Sequence, residues 1–204
     1  RRLAQSGCDA QKTLARFDFA ATPSVNRTFL QDLATCAFIP RHENVLFCGP
    51  TGVGKSHLAN ALALEALKRD LNVLYQNTPR LLAELHAARA TGAQARLLAR
   101  LLHADLLVLD DFGLQPLSPQ AAQDLYDLVR ERYERGSLIV TSNRAFDEWA
   151  EVFGNDLLAS AALDRLTHHA HTLIIRGDSY RQRSRRKEGT SGASAAPTER
   201  SSQA

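Results

Sequence analysis

The feature that most constrains this chain is the segment Gly49–Ser56, GPTGVGKS, which has the form G-x-x-x-x-G-K-[ST]. The apolar run NVLFC at 44–48 precedes it, and a helical pattern of apolar residues follows from Lys55. Glycines let the backbone N–H groups of such a loop surround phosphate oxygens, and the dipole of the following helix favours an anion. The order strand, loop, helix therefore predicts a phosphate-binding loop.

The residue types within this loop indicate its ligand. Lys55 is placed to reach the β- and γ-phosphates of a nucleotide, and the hydroxyl of Ser56 is placed to ligate Mg²⁺. We therefore expect ATP and Mg²⁺ as cofactors. The predicted cofactor-binding residues form one continuous run: Gly49, Pro50, Thr51, Gly52, Val53, Gly54, Lys55, Ser56 and His57.

Polar residues follow two other apolar runs. The run LLVLDD at 106–111 ends in Asp110, a candidate Mg²⁺ partner, and Asp111, which could orient or deprotonate an attacking water. Asn143 follows the run SLIV at 137–140 and could contact the γ-phosphate or that water; capping the next helix is the alternative. Because ligands bind at the carboxyl ends of parallel strands, we favour a role for Asn143 in the site.

The chain alternates short apolar strands with helical patterns, which predicts an α/β fold with a parallel sheet covered on both faces. Predicted strands lie at 44–48, 72–75, 105–110, 137–140 and 171–176. Predicted helices lie at 55–69, 80–89, 94–103, 119–135, 146–152 and 157–169, with Ser118 as an N-cap and Gly136 as a stop.

We divide the chain into an irregular or short-helical lead-in at 1–43, an ATPase domain at 44–181 and a basic, Ser/Ala-rich tail at 182–204, which we expect to be disordered. The chain starts at Arg1 and has no methionine, so we expect an upstream region to be missing. Since no membrane span or signal peptide is visible and the cysteine count is odd, we expect a cytoplasmic protein with reduced thiols.

Basic charge is concentrated in two regions, although the net charge is only +3. One region is 165–187, and the other is 78–103. Clustered arginines are typical of nucleic-acid contacts, but solvated helix faces remain an equal alternative. The candidate DNA-binding residues in the second region are Arg80, Arg89, Arg96 and Arg100.

Two arginines and a histidine cluster leave alternatives open. Arg165 and Arg181 could neutralise charge in phosphoryl transfer, but spacing alone fits surface ion pairs better. For His168, His169 and His171 we favour a polar helix end over a metal site, because adjacent histidines on a helix point in different directions.

Several motifs occur in a fixed order along the chain: ENVLFCGPTGVGKSHLA at 43–59, LLVLDDFGLQPL at 106–117, YERGSLIVTSN at 133–143, LDRLTHHAH at 163–171 and RGDSYR at 176–181. Glu148 and Trp149 follow the third of these motifs. With these motifs, residues 17–186 resemble the IstB-like ATPases, which are AAA+ transposition helpers of insertion sequences related to DnaC-type helicase loaders.

The resemblance implies an AAA+ core, a P-loop NTPase fold with a five-stranded parallel sheet flanked by helices in the strand order 5-1-4-3-2. It makes Gly49–Ser56 the Walker A loop and Asp110 and Asp111 the Walker B pair. It assigns sensor 1 to Asn143, the arginine finger that reaches a neighbouring subunit to Arg165, and sensor 2 to Arg181. The segment 78–103 corresponds to a helical insertion that grips DNA.

The function implied is that of a transposition helper. Such an ATPase assembles as a homo-oligomer on DNA, with little sequence preference, binds ATP at subunit interfaces and recruits or regulates a transposase. Many AAA+ proteins have Glu where this chain has Asp111, so we expect slow hydrolysis. We also expect DNA to stimulate this hydrolysis. The alternatives are a DnaC-like loader of a replicative helicase that uses ATP as a switch, and a P-loop small-molecule kinase.

Overall fold

A computed structural model describes residues 2–177 and 179 of the chain. Its centre is a five-stranded sheet in which every neighbouring pair of strands is parallel. The strand order is β2-β3-β4-β1-β5, which confirms the predicted order 5-1-4-3-2. The strands are β1 (Asn44–Cys48), β2 (Val73–Asn77), β3 (Leu106–Phe112), β4 (Ser137–Ser142) and β5 (Ala170–Ile174).

Helices connect the strands and cover the sheet. They are α1 (Arg2–Ser6), α2 (Arg27–Leu33), α3 (Lys55–Lys68), α4 (Thr78–Ala90), α5 (Gln94–Leu102), α6 (Pro119–Arg132), α7 (Trp149–Phe153) and α8 (Asp156–Thr167), with 3₁₀ turns at Leu14–Arg16 and Phe146–Glu148. Four of them begin at a side chain that accepts a hydrogen bond from the first turn, a cap that polar residues supply. These caps are Asn26, Asn77, Ser118 and Asn155.

Both faces of the sheet carry an apolar core, as the alternating pattern predicts. Leu46, Leu107 and Val140 pack on the side of α4 to α8. Phe47 and Ile139 pack on the side of α3 and the lead-in. The helix α3 approaches the sheet closely because the residues that face it include several fully buried alanines: Ala59, Ala63 and Ala66. In the described part of the chain, no helix is long and apolar enough to cross a membrane.

Several predicted boundaries are wrong by one to three residues. The strand predicted at 72–75 runs from Val73 to Asn77, and β3 extends to Phe112 across an irregularity in its pairing with β4. The first strand-to-helix motif is confirmed, since α3 begins at Lys55. These shifts have a common reason: inter-strand pairing decides where a strand ends, and pairing is not visible in local apolar runs.

The helix predicted to reach residue 135 ends at Arg132, because the backbone of Tyr133 leaves the helical region (ψ 125°) and that of Glu134 has a positive φ of 57°. Arg132 is 1% exposed, and its guanidinium donates to the carbonyls of Leu101 (2.8 Å), Ala104 (2.9 Å) and Ser137 (2.8 Å). Burial lowers the pKa of Arg132 to about 10. Gly136 gives it room, since an added Cβ would lie 2.6 Å from Nη2. Gly136 is therefore required by packing rather than as the stop of α6.

The lead-in packs against α3. The side chain of Asn60, 1% exposed, accepts from the Asp9 backbone N–H (2.8 Å) and donates to the carbonyls of Asp9 (2.8 Å) and Lys12 (3.2 Å). His57 Nε2 lies 2.8 Å from the carbonyl oxygen of Thr13. These bonds carry residues 9–17 across the first turns of α3, towards the phosphate-binding loop.

Candidate nucleotide site

The loop between β1 and α3 has the backbone that the motif predicts. Gly49, Gly52 and Gly54 all have positive φ (147°, 86° and 100°). The last two lie in the left-handed region that favours glycine. Gly49 also has no space for a side chain, since an added Cβ would lie 2.1 Å from the carbonyl oxygen of Ile175. A substitution at any of these glycines would disturb the loop.

Lys55 is buried at the start of α3, with 7% of the residue exposed. Its Nζ donates to the carbonyl oxygens of Gly49 and Pro50, each at 2.7 Å. Desolvation lowers the pKa of Lys55, while the charges of Asp111 and Asp110 act in the opposite direction. The ammonium group is therefore held at the loop, within electrostatic reach of the acidic pair.

The two acidic residues lie at the carboxyl end of β3. Asp110 is 8% exposed and accepts a hydrogen bond from the Thr141 hydroxyl. Asp111 has a φ of 59°, and its backbone N–H donates to the same hydroxyl at 3.0 Å. The Asp111 carboxylate accepts from Asn77 Nδ2 at 3.0 Å. Both carboxylates are thus held by side chains of neighbouring strands.

Sequence reasoning missed Asn77 and Tyr75 on β2. The Asn77 amide has two partners, because its oxygen also accepts from the Arg80 N–H (3.3 Å) and caps α4. The Tyr75 hydroxyl donates to the carbonyl of Ser56 at 3.4 Å. Burial raises the pKa of Tyr75, and the charge of Asp110 adds to this shift. The only signal in the sequence was polar residues at the end of an apolar run, and loops share that signal.

A cleft of about 700 Å³ opens beside these groups. Its lining brings together all the predicted motifs that the structure describes at this edge: the loop at 51–57, Asp110, Asp111 and Asn143. Asn143 is exposed and follows β4 directly. The carboxyl ends of β1, β3 and β4 therefore meet at this cleft.

The lead-in forms one wall of the same cleft, which sequence reasoning did not predict. Lys12, Arg16 and Phe17 line it. Phe17 packs so closely on the loop that a Cβ on Gly54 would lie 2.6 Å from its ring. The Phe17 ring also meets the His57 ring edge-on at 5.5 Å. The residues responsible are far from the motif in sequence, and no local pattern marks them.

The residues at the base of the cleft fit a Mg²⁺ ion. Ser56 offers a hydroxyl, and Asp110 and Asp111 offer carboxylate oxygens in the same cleft. Mg²⁺ prefers oxygen ligands of this kind and usually binds through one or two carboxylates together with substrate phosphates.

The two predicted arginines outside the loop have different outcomes. Arg181 lies outside the described residues. Arg165 lies on α8, where its Nη1 donates to the Ala161 carbonyl at 2.7 Å and its guanidinium lies over the rings of Tyr126 (5.7 Å) and Tyr133 (6.0 Å). Among the described residues, Arg165 lines a different cleft, near the amino ends of β1 and β4. It therefore lies apart from the loop of its own chain.

The four candidate DNA-binding arginines differ in their surroundings. Arg80 pairs with Glu84 on the surface of α4 (3.1 Å). Arg89 pairs with Asp124, which is 5% exposed. Arg96 and Arg100 are exposed on α5.

The helix argument used for His168 and His169 is wrong, because α8 ends at Thr167. His169 has a φ of 55°, and the two rings lie 3.9 Å apart. With Glu134 they form an exposed group whose possible ligand atoms all lie within 4.8 Å of one another. The Tyr133 hydroxyl lies 2.8 Å from His168 Nδ1.

The sequence model of the family described as IstB-like ATP binding protein matches residues 1–188. This chain belongs to that family. Over 188 residues it is 43% identical to an ATP-binding protein of insertion sequence IS21 from Pseudomonas aeruginosa, covering 92% of this chain and 71% of that protein. It is 45% identical to an insertion-sequence ATP-binding protein of Sinorhizobium fredii over 170 residues, or 83% of this chain and 69% of that one.

Solved structures agree on the fold. The DnaC helicase loader superposes with a TM-score of 0.65 at 22% identity, covering 75% of this chain and 90% of that chain. The replication initiator DnaA bound to AMPPCP and single-stranded DNA superposes with a TM-score of 0.68 at 20% identity, covering 91% of this chain and 56% of that chain. The IstB-like chain therefore has the P-loop AAA+ fold, which confirms the resemblance drawn from its motifs.

Proposed function

We propose that this IstB-like chain is a Mg²⁺-dependent ATPase that acts on DNA as a transposition helper. One observation carries the ATPase proposal: Lys55, Asp110 and Asp111 converge from two strand ends on a cleft lined by the phosphate-binding loop. A buried ammonium group beside two carboxylates, at the amino end of a helix, is the arrangement that binding and hydrolysis of a nucleoside triphosphate require.

Each residue then has a defined task. The glycine loop and Lys55 bind the phosphates of ATP, and Ser56 and Asp110 hold Mg²⁺, which when bound neutralises charge on the phosphates. Asp111 accepts a proton from, or orients, the attacking water, while Asn143 positions the same water or the γ-phosphate. Arg165 would act on the ATP of a neighbouring subunit and Arg181 on that of its own. Because Asp111 is one methylene shorter than Glu, we expect slow turnover.

The proposed partners are DNA, a transposase and further copies of this chain. The insertion-sequence relatives support the transposition role, and the arginines of α4 and α5 support contact with DNA phosphates, with little sequence preference. The proposed location, in keeping with action on DNA, is the cytoplasm. A second candidate function is the loading of a replicative helicase, because the fold is similar to that of the DnaC helicase loader. The family membership favours both over a small-molecule kinase.

The test of the ATPase proposal is Lys55→Ala, with Lys68→Ala as control at the exposed end of the same helix. Lys55→Ala should weaken Mg²⁺-dependent ATP binding by at least about tenfold, or about 1.4 kcal/mol. It should lower hydrolysis by about 10²–10³, the usual effect of removing one electrostatic donor. Lys68→Ala should match the wild type. Nucleotide binding is measured by calorimetry, and hydrolysis by phosphate release with and without duplex DNA. Undiminished binding in Lys55→Ala would refute the proposal.

A further inference from the structure

The two acidic residues occupy a bulge in the sheet. Leu109 pairs with Val140, and Phe112 pairs with Ser142, so two residues of β3 lie opposite the single residue Thr141 of β4. A bulge of this kind leaves a residue without its regular ladder partner and re-aims its side chain. Here it leaves the backbone of Asp111 in the left-handed region, with a φ of 59°. A residue other than glycine adopts this conformation only where its surroundings stabilise it.

The Thr141 side chain bonds to both acidic residues at this point. Its hydroxyl accepts a hydrogen bond from the Asp111 N–H at 3.0 Å and donates its proton to the Asp110 carboxylate. Thr141 is completely buried. A hydroxyl has a single proton to donate, so these two bonds determine its orientation. One side chain therefore holds the backbone of one acidic residue and the carboxylate of the other.

We propose that Thr141 is a positioning residue of the hydrolytic site, which aims Asp110 and Asp111 at the bound nucleotide. The inference rests on the ATPase function proposed above. Among the described residues, Thr141 does not line the cleft and its hydroxyl bonds to the two aspartates, so the effect of that hydroxyl passes through them. Removing its hydroxyl would leave the Asp111 N–H without this partner inside the protein, and Asp110 would lose the donor that orients it.

A neighbouring hydroxyl provides the matched control. Ser142, the next residue of β4, is also completely buried, and its hydroxyl donates to the Phe112 carbonyl at 2.9 Å and accepts from the Arg144 N–H at 3.1 Å. It bonds to the same bulge but to neither aspartate. Ser142→Ala therefore removes a buried hydroxyl, at similar cost to the fold, without changing the contacts of Asp110.

The experiment compares Thr141→Val, Thr141→Ser and Ser142→Ala with the wild type. Valine keeps the volume of threonine but lacks the hydroxyl, whereas serine keeps the hydroxyl. Two quantities are measured: the Mg²⁺ concentration that half-saturates ATP binding, and kcat against KM for hydrolysis. Thr141→Val should raise the first and lower kcat, each by about 10- to 100-fold, the usual effect of removing a group that orients a metal ligand. Its KM for ATP at saturating Mg²⁺ should change little, because the loop is intact.

Rescue decides between positioning and simple support of the fold. Thr141→Ser should restore both quantities to within about threefold of the wild type, and Ser142→Ala should leave the Mg²⁺ requirement unchanged. If Thr141→Val does not fold, Thr141→Ala replaces it. The inference fails if the hydroxyl-free variant keeps the wild-type Mg²⁺ requirement and kcat, or if Ser142→Ala has the same effect. A wild type without turnover would instead refute the ATPase proposal, and the Mg²⁺ requirement for ATP binding would still test Thr141.

Discussion

Glu43 illustrates how single carboxylates are held in this protein. It lies just before β1 and accepts from Arg41 through both Nε (2.7 Å) and Nη2 (2.9 Å). Its second oxygen lies 2.7 Å from Nε2 of His171 on β5. The hydrogen bonds from Arg41, followed by that from His171, lower the pKa of Glu43 to about 2. The carboxylate thus ties the start of β1 to the edge strand.

This shift predicts a pH dependence of stability. A carboxyl whose pKa falls from its ordinary 4.5 to about 2 on folding stabilises the protein fully above pH 4.5, and this stabilisation is lost as the pH falls towards 2. Glu43→Gln should therefore lower the free energy of unfolding at pH 7 by about 1 kcal/mol, a value reduced by solvent screening of a partly exposed pair. The deficit should shrink between pH 4.5 and 2.5, as measured by urea unfolding. A deficit that stays constant over this range would contradict the assignment.

The helices α4 and α5 have both a structural role and a proposed functional role. One oxygen of Asp124, on α6, accepts from Arg89, from Gln94 (3.4 Å) and from Gln120 (3.2 Å). This network fastens the corner between α4 and α5 to the body of the protein. Arg89 is already engaged there, whereas Arg96 and Arg100 lie exposed on α5. We therefore propose α5 as the part of this segment that would meet DNA.

We predict that Arg96→Ala and Arg100→Ala weaken DNA binding through loss of phosphate contacts. Each should make the slope of log affinity against log salt concentration shallower by about 1, because each contact releases about one counterion. Arg135→Ala is the control. This exposed arginine lies beyond the end of α6 and pairs with Glu131 of that helix. Fluorescence anisotropy with duplex DNA at several salt concentrations measures the slopes. Unchanged slopes in both α5 variants would remove this helix from the DNA interface.

For the whole molecule, the position of Arg165 bears on assembly. This arginine is held on α8 by the rings of Tyr126 and Tyr133, near the amino ends of β1 and β4. The phosphate-binding loop lies at the carboxyl end of β1. A contact between Arg165 and ATP would therefore join two copies of the chain, as proposed for an arginine finger.

Arg165→Ala should abolish the part of ATP hydrolysis that depends on protein concentration. We expect the specific activity of the wild type to rise with concentration, and that of the variant to stay flat and lower by about 10³, with ATP binding by the monomer unchanged. Arg130→Ala is a matched control, because its guanidinium also lies over Tyr126, at 5.8 Å. Phosphate release is measured over a range of protein and DNA concentrations. Normal activity in Arg165→Ala would exclude the role in trans.

Much of the fold and part of the site could be predicted from local patterns. The glycine-lysine-serine loop, the apolar run before Asp110 and the alternation of strands with helices each depend on neighbours in the chain, and local geometry follows from them. The same reasoning wrongly placed His168 and His169 within a helix, because the end of α8 at Thr167 depends on tertiary contacts of its last turn. It also missed Phe17, whose place over Gly54 results from packing of the lead-in on α3.

By itself the sequence determined the kind of ligand and the class of fold, since a phosphate-binding loop and buried parallel strands are each encoded in a few consecutive residues. The tertiary structure decided which side chains hold those residues in place: Asn77 and Thr141 for the acidic pair, and the lead-in for the wall of the cleft. The physical reason is that a hydrogen bond or packing contact depends on distance in space. Strand pairing brings Asp111 within bonding distance of Thr141, 30 residues further along the chain.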